Sequence, residues 1–191
     1  MTFGGLPSRW EPAGPSRGVA IVAPGRAYPP SAPLLDFARL ALLQHGFTVQ
    51  QVWWDSTARG DEDPEAWVRR HVEAAHAQES ADHVLVVGKS LGTRAASYAA
   101  ELGLDAIWFT PLLVEPRVAE AIASNPGRQL LVGGLVDELW DCAIARELAE
   151  NGCDVLEVPD ADHAMGTPDA VRTAEIHLEV TRALDAYLSA L

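Results

Sequence analysis

The sequence predicts an α/β fold, a three-layer α/β/α sandwich built on a mostly parallel sheet of about six strands. Short β-branched and aliphatic runs alternate with segments of helical periodicity along most of the chain, the pattern that produces a parallel sheet with helices on both faces. One of these runs, Val84–Val87, is an unbroken β-branched and aliphatic stretch that reads as a buried strand. At 191 residues and 48% hydrophobic content, the chain forms one domain with a substantial core.

Residues 1–17, rich in Pro and Gly, have no place in the alternation and read as an N-terminal extension to a domain at 18–191. GVAIVAPG is then a strand ending in a Pro-Gly turn, and PLLDFARLALLQHG a helix stopped by Gly46. FTVQQVWWD is a strand by its β-branched and aromatic content. The helix from Asp63 to Gln78 carries Asp61, Glu62 and Asp63 at its positive end. VLVVG is the third strand, followed by the helix LGTRAASYAAEL. The second half continues with strand DAIWFTP, helix VEPRVAEAIAS, strand QLLVGGL, helix WDCAIARELAENG and strand DVLEVPDA. A helix within 167–191 closes the chain. There is no internal repeat, low-complexity tract or interdomain linker.

A formal charge of −13, with thirteen arginines and one lysine scattered along the chain, opposes binding to a polyanion, so nucleic acid is excluded as a partner. No apolar run is long enough to span a bilayer, and the N-terminus lacks the basic start and apolar segment of a secretory signal. A cytoplasmic location without membrane association is expected. Cys142 and Cys153 lack metal-ligand spacing and are expected to be free thiols in a reducing compartment.

Sites in such sheets form at the carboxyl ends of strands. At one of them stands Gly88-Lys89-Ser90-Leu91-Gly92, which admits two readings. A phosphate-binding loop needs a glycine five positions before Gly88, where His83 stands, and a flexible stretch where Val84–Val87 is a strand. A nucleophile elbow needs strand, tight turn and helix with small residues flanking the serine, and all are present. With Gly and Ser each at roughly 7%, the pattern arises by chance in about one chain of this length in fifteen. Its surroundings must therefore carry the reading.

Of the six histidines, only His163 falls on a loop at the catalytic edge; His45, His71, His76 and His177 belong to helices and His83 opens a strand. Imidazole takes and returns protons near neutrality, which suits His163 as the base. A carboxylate must hold its other nitrogen. Asp137, a few residues past its strand, is preferred to Glu138 and Asp141, and Asp162 reads as a turn residue. The anion formed on attack needs two backbone donors: Leu91 N–H at the elbow, and Arg26 N–H from the APGRAYPP loop after the first strand. That loop also reads simply as a Pro/Gly-rich turn with no role for the Arg26 or Tyr28 side chains. Trp108, Leu112, Leu113, Trp140 and Met165 flank the site, either as an apolar acyl pocket together with Tyr28 or as core and rim packing.

With VGKSLG, GGLVDELWD and DADHAM in that order, the chain resembles the α/β-hydrolase fold superfamily over about residues 18–190. The resemblance implies a serine hydrolase acting on a small ester or thioester through Ser90, His163 and Asp137 and an acyl-enzyme, with no metal or organic cofactor. Two departures stand out. The antiparallel strand pair that usually opens the family's sheet is not evident in the first 16 residues, and the lid is reduced to PLLVEPRVAEAIASNPG, which implies a small, open, lidless member. A hydrolase-like protein that binds a small molecule or a protein without turnover is the competing class. A flavodoxin-like or dinucleotide-binding sheet would need a glycine-rich phosphate turn where PGRAYPP stands.

Overall fold

The computed structural model describes residues 2–3 and 6–191, with side chains from Ser8 onward. Seven strands form the main sheet, in the order β3-β5-β4-β6-β7-β8-β9: β3 (Arg9–Trp10), β4 (Gly18–Ala23), β5 (Phe47–Gln51), β6 (Val84–Lys89), β7 (Asp105–Phe109), β8 (Gln129–Gly134) and β9 (Asp154–Val158). All neighbours run parallel except β3, which pairs antiparallel with β5. Two short strands, β1 (Thr2–Phe3) and β2 (Leu6–Pro7), pair separately.

Successive strand residues point to opposite faces, and β4 shows how this divides the core. Val19, Ile21 and Ala23 belong to the core shared with α2 (Pro64–His76), α3 (Ala96–Leu102), α4 (Pro116–Ser124) and α5 (Cys142–Glu150), whereas Ala20 and Val22 belong to the core shared with α1 (Pro33–Gln44) and α6 (Ala170–Ala190). Full burial of a Val, Leu or Ile side chain contributes about 1.5–3 kcal/mol, so the strands are held from both sides. Local sequence sets the helix starts. Asp63, Asp141 and Asp169 accept hydrogen bonds from the first-turn amides of α2, α5 and α6, satisfying donors that have no partner within the helix.

The chain passes from β4 to β5 on one side, then crosses through α2 to β6 on the other side of β4. The loops after β4 and β6 therefore diverge, and a crevice opens between them at the strand carboxyl ends.

Three expectations change. The sheet has seven strands rather than six, because Arg9 and Trp10, read from sequence as extension, pair with Gln50 and Val49. Arg39 covers the Trp10 ring, its guanidinium carbon 4.1 Å from the centroid, and a two-residue strand is too short to show alternation. Met1, Gly4 and Gly5 lie outside the described residues. The elbow helix begins as a 3-10 segment, Ser90–Ala95, before α3. Thr93 Oγ1 donates to the Ser90 carbonyl at 2.6 Å, sharing the acceptor that the Arg94 amide would use in an α-turn. Finally, the stretch read as a reduced lid contains α4, whose Val118 and Ile122 are core residues, so it forms part of the sandwich wall. Among the described residues no helix is long and apolar enough to cross a membrane.

Candidate active site

The site begins with two glycines that let the strand, turn and helix crowd together. A Cβ at Gly88 would come within 2.7 Å of the Trp108 ring, and one at Gly92 within 2.1 Å of the Ala23 carbonyl oxygen; neither fits without displacement. Between them Ser90 sits at φ 51°, a region that L residues rarely occupy and that is found where the surrounding structure enforces it.

Three loops from three strands converge on this serine. Ser90 Oγ lies 2.7 Å from His163 Nε2, and His163 Nδ1 lies 2.7 Å from Asp137 Oδ2. Asp137 is 6% exposed, and its Oδ1 accepts from the Leu139 amide at 2.9 Å, so both carboxylate oxygens are fixed. With the carboxylate accepting from Nδ1–H, Nε2 is left as the acceptor facing the hydroxyl. The His163 loop is shaped by Asp162, whose Oδ1 accepts from the Ala164 and Gly166 amides at 2.8 and 2.9 Å, the turn role its position suggested.

A cleft of about 500 Å³ opens on Ser90, lined by Arg26, Leu91, Arg94, Leu112 and Leu139 among others. Arg26 and Leu91 thus reach the same cleft as the serine. Leu91 is the second residue of the 3-10 segment, where an amide has no intrahelical acceptor. Gly25 carries the β4 loop close to the elbow, since a Cβ there would stand 3.6 Å from Ser90 Cβ.

Of the apolar residues singled out in the sequence, only Leu112 lines this cleft. Trp108 is fully buried under Gly88 and donates to Gln129 Oε1 at 2.9 Å. Trp140 packs on Gly133 and donates to Glu157, and Met165 and Leu113 are core residues. Tyr28 accepts from the Leu34 amide and lines a neighbouring hollow with Trp53 and Trp54. The packing alternative therefore holds for Trp108, Trp140, Met165 and Leu113: a residue adjacent in sequence to a loop can still face the layer beneath it.

Two residues of the site carry little sequence signal. Arg94, one turn beyond Ser90, lines the cleft and pairs with Glu115 at 2.6 Å; the separation of four was its only clue. Lys89 is 2% exposed, and its Nζ donates to the His163 carbonyl at 2.8 Å. Burial, partly offset by Asp137 and Asp162, lowers its pKa to about 8. Among the described residues no group of three or more His, Cys, Asp or Glu is placed to hold a metal ion.

No protein-family model matches the sequence, and no curated protein matches it either. Solved structures do. Est1E from Butyrivibrio proteoclasticus superposes with a TM-score of 0.76 at 13% identity, covering 95% of this chain and 92% of its own. A lidless α/β serine hydrolase from Xanthomonas campestris gives 0.65 at 18% identity, over 94% and 87%.

The chain has the α/β-hydrolase fold. An α/β serine hydrolase homologue from Coxiella burnetii gives 0.61 at 18% identity, over 92% and 89%. These structures each match more than nine-tenths of this chain, so the shared α/β-hydrolase fold extends over almost all of it.

Proposed function

We propose that the protein is a serine hydrolase of small esters or thioesters. The observation that carries the reading is the continuous chain from Ser90 Oγ through His163 to a buried Asp137, with both links at 2.7 Å. Ser90 Oγ attacks the acyl carbonyl while His163 Nε2 takes its proton, and Asp137 orients the ring and offsets the imidazolium charge. The Leu91 and Arg26 amides stabilise the anion on the carbonyl oxygen. The C–O or C–S bond then breaks, His163 returns the proton to the departing alcohol or thiol, and an ester to Ser90 remains. Water, deprotonated by the same imidazole, cleaves that ester and restores the hydroxyl.

The open cleft of about 500 Å³ suits a small soluble substrate, since little of the chain is available to enclose a large one. The reading is tested by intact-protein mass spectrometry after exposure to a fluorophosphonate. One adduct on the wild type and none on Ser90→Ala or His163→Ala is the expected result. A folded wild type that stays unlabelled would sink the proposal in favour of a non-catalytic binding protein. Substrates follow from a panel of short-chain esters and thioesters. A feruloyl ester belongs in it, because Est1E has been solved with ferulic acid bound.

A further inference from the structure

Lys89 is the only lysine of the chain, and it occupies the variable position of the elbow, between Gly88 and the serine. A charged side chain is seldom fully buried unless something holds it. Here the ammonium donates to the His163 carbonyl at 2.8 Å and lies 5.0 Å from the centroid of the Tyr28 ring. The stem packs beneath Gly25, where a Cβ would come within 3.2 Å of Lys89 Cδ. One side chain therefore touches the β4 loop and the β9 loop while belonging to the elbow itself. The proposed chemistry makes no use of its proton.

We propose that Lys89 is a positioning residue: its ammonium pins the backbone of His163 to the elbow and so keeps the imidazole in line with Ser90. The proposal rests on the hydrolase reading for its functional meaning but not for its geometry. A charge-assisted bond is about twice as strong as a neutral one, and it acts on the residue whose ring must stay within hydrogen-bond reach of Oγ. A displacement of about 1 Å at such a point costs roughly a hundredfold in rate. The titratable groups facing Lys89 are Tyr28 from the β4 loop, Asp137 from the β8 loop, and Asp162 and His163 from the β9 loop. Burial raises the Tyr28 pKa, so that ring stays neutral, while the carboxylates of Asp137 and Asp162 favour the charged amine.

The sign of the pH effect follows. Desolvation lowers the Lys89 pKa to about 8, so the amine is mostly charged at neutral pH and the charge-assisted tie is lost as pH rises through that value. The wild-type rate of fluorophosphonate labelling should therefore fall above pH 8.

The decisive variant is Lys89→Met, which keeps the length of the stem and removes both donor and charge. It is expected to label about ten- to hundredfold more slowly at neutral pH, to lack the alkaline fall, and to melt no lower than the wild type, because a buried cation has been removed. A variant that labels within twofold of the wild type, or one that is slow only because it melts much lower, overturns the proposal. If the variant does not fold, the wild-type profile decides, and a flat rate from pH 7 to 10 refutes it. A readout independent of chemistry separates this inference from the hydrolase reading. The downfield proton resonance of the His163–Asp137 bond should be sharp in the wild type at neutral pH and should broaden as pH passes 8, even if the enzyme labels nothing. A resonance unchanged over that range also refutes the proposal.

Discussion

The backbone of Ser90 offers a sharp test of how this elbow is held. Its φ of 51° is unfavourable for any residue with a Cβ, at about 1–3 kcal/mol, and the cost is independent of the hydroxyl. Ser90→Ala and Ser90→Gly both delete the 2.7 Å contact with His163, so the loss of that bond cancels in a comparison of the two. Only glycine removes the strain. Against this stands the added freedom of glycine in the unfolded chain, about 0.4–1 kcal/mol. The difference leaves Ser90→Gly more stable than Ser90→Ala by about 1 kcal/mol. With a urea slope of about 2 kcal/mol/M, that is a midpoint shift of roughly 0.5 M, well within reach of a fluorescence-monitored titration. Both variants should be inert to fluorophosphonate. Equal midpoints, or a higher one for alanine, would refute the view that Ser90 is strained by its surroundings.

Other expectations are simpler. Asp137→Asn should fold normally but lower turnover by roughly 10⁴-fold, because an amide favours the wrong imidazole tautomer; ester kinetics beside a circular-dichroism spectrum checks both halves. Burial lowers the His177 pKa, so the unfolded chain takes up a proton first as pH falls. Stability should decline below about pH 6.5, and His177→Gln should flatten that slope in melting curves taken from pH 7 to 5. Burial also raises the Cys153 thiol pKa to about 11, whereas Cys142 is exposed. Under native conditions a thiol reagent should titrate Cys142 quickly and Cys153 only slowly.

The alternation of strands and helices was legible because the central strands β4, β6 and β8 are buried on both faces and carry mostly apolar runs, whereas β5 and β9 carry polar residues among the apolar ones. Ser90, Asp137 and His163 were legible because each stands just past such a run, and the fold brings strand ends together. What sequence reading lacked was direction. Trp108 and Leu112 lie four residues apart at the end of β7, yet one goes beneath the elbow and the other into the cleft, and only the sheet register decides between them. β3 escaped notice because two residues have no period. The burial of Lys89 depends on a carbonyl 74 positions away, and no local pattern could have indicated it.

The closing helix, α6, spans 21 residues at the very end of the chain. It covers the face of the sheet to which Leu85, Val87, Ile107 and Phe109 point, alongside α1, and its Tyr187 hydroxyl donates to the Arg128 carbonyl at 2.8 Å. Ser90, Asp137 and His163 all precede α6 in sequence, and so lie between the two helices, α1 and α6, that shield the strands beneath them. Loss of this helix would leave every reacting group in the polypeptide and still expose to water the part of the sheet that α1 does not cover.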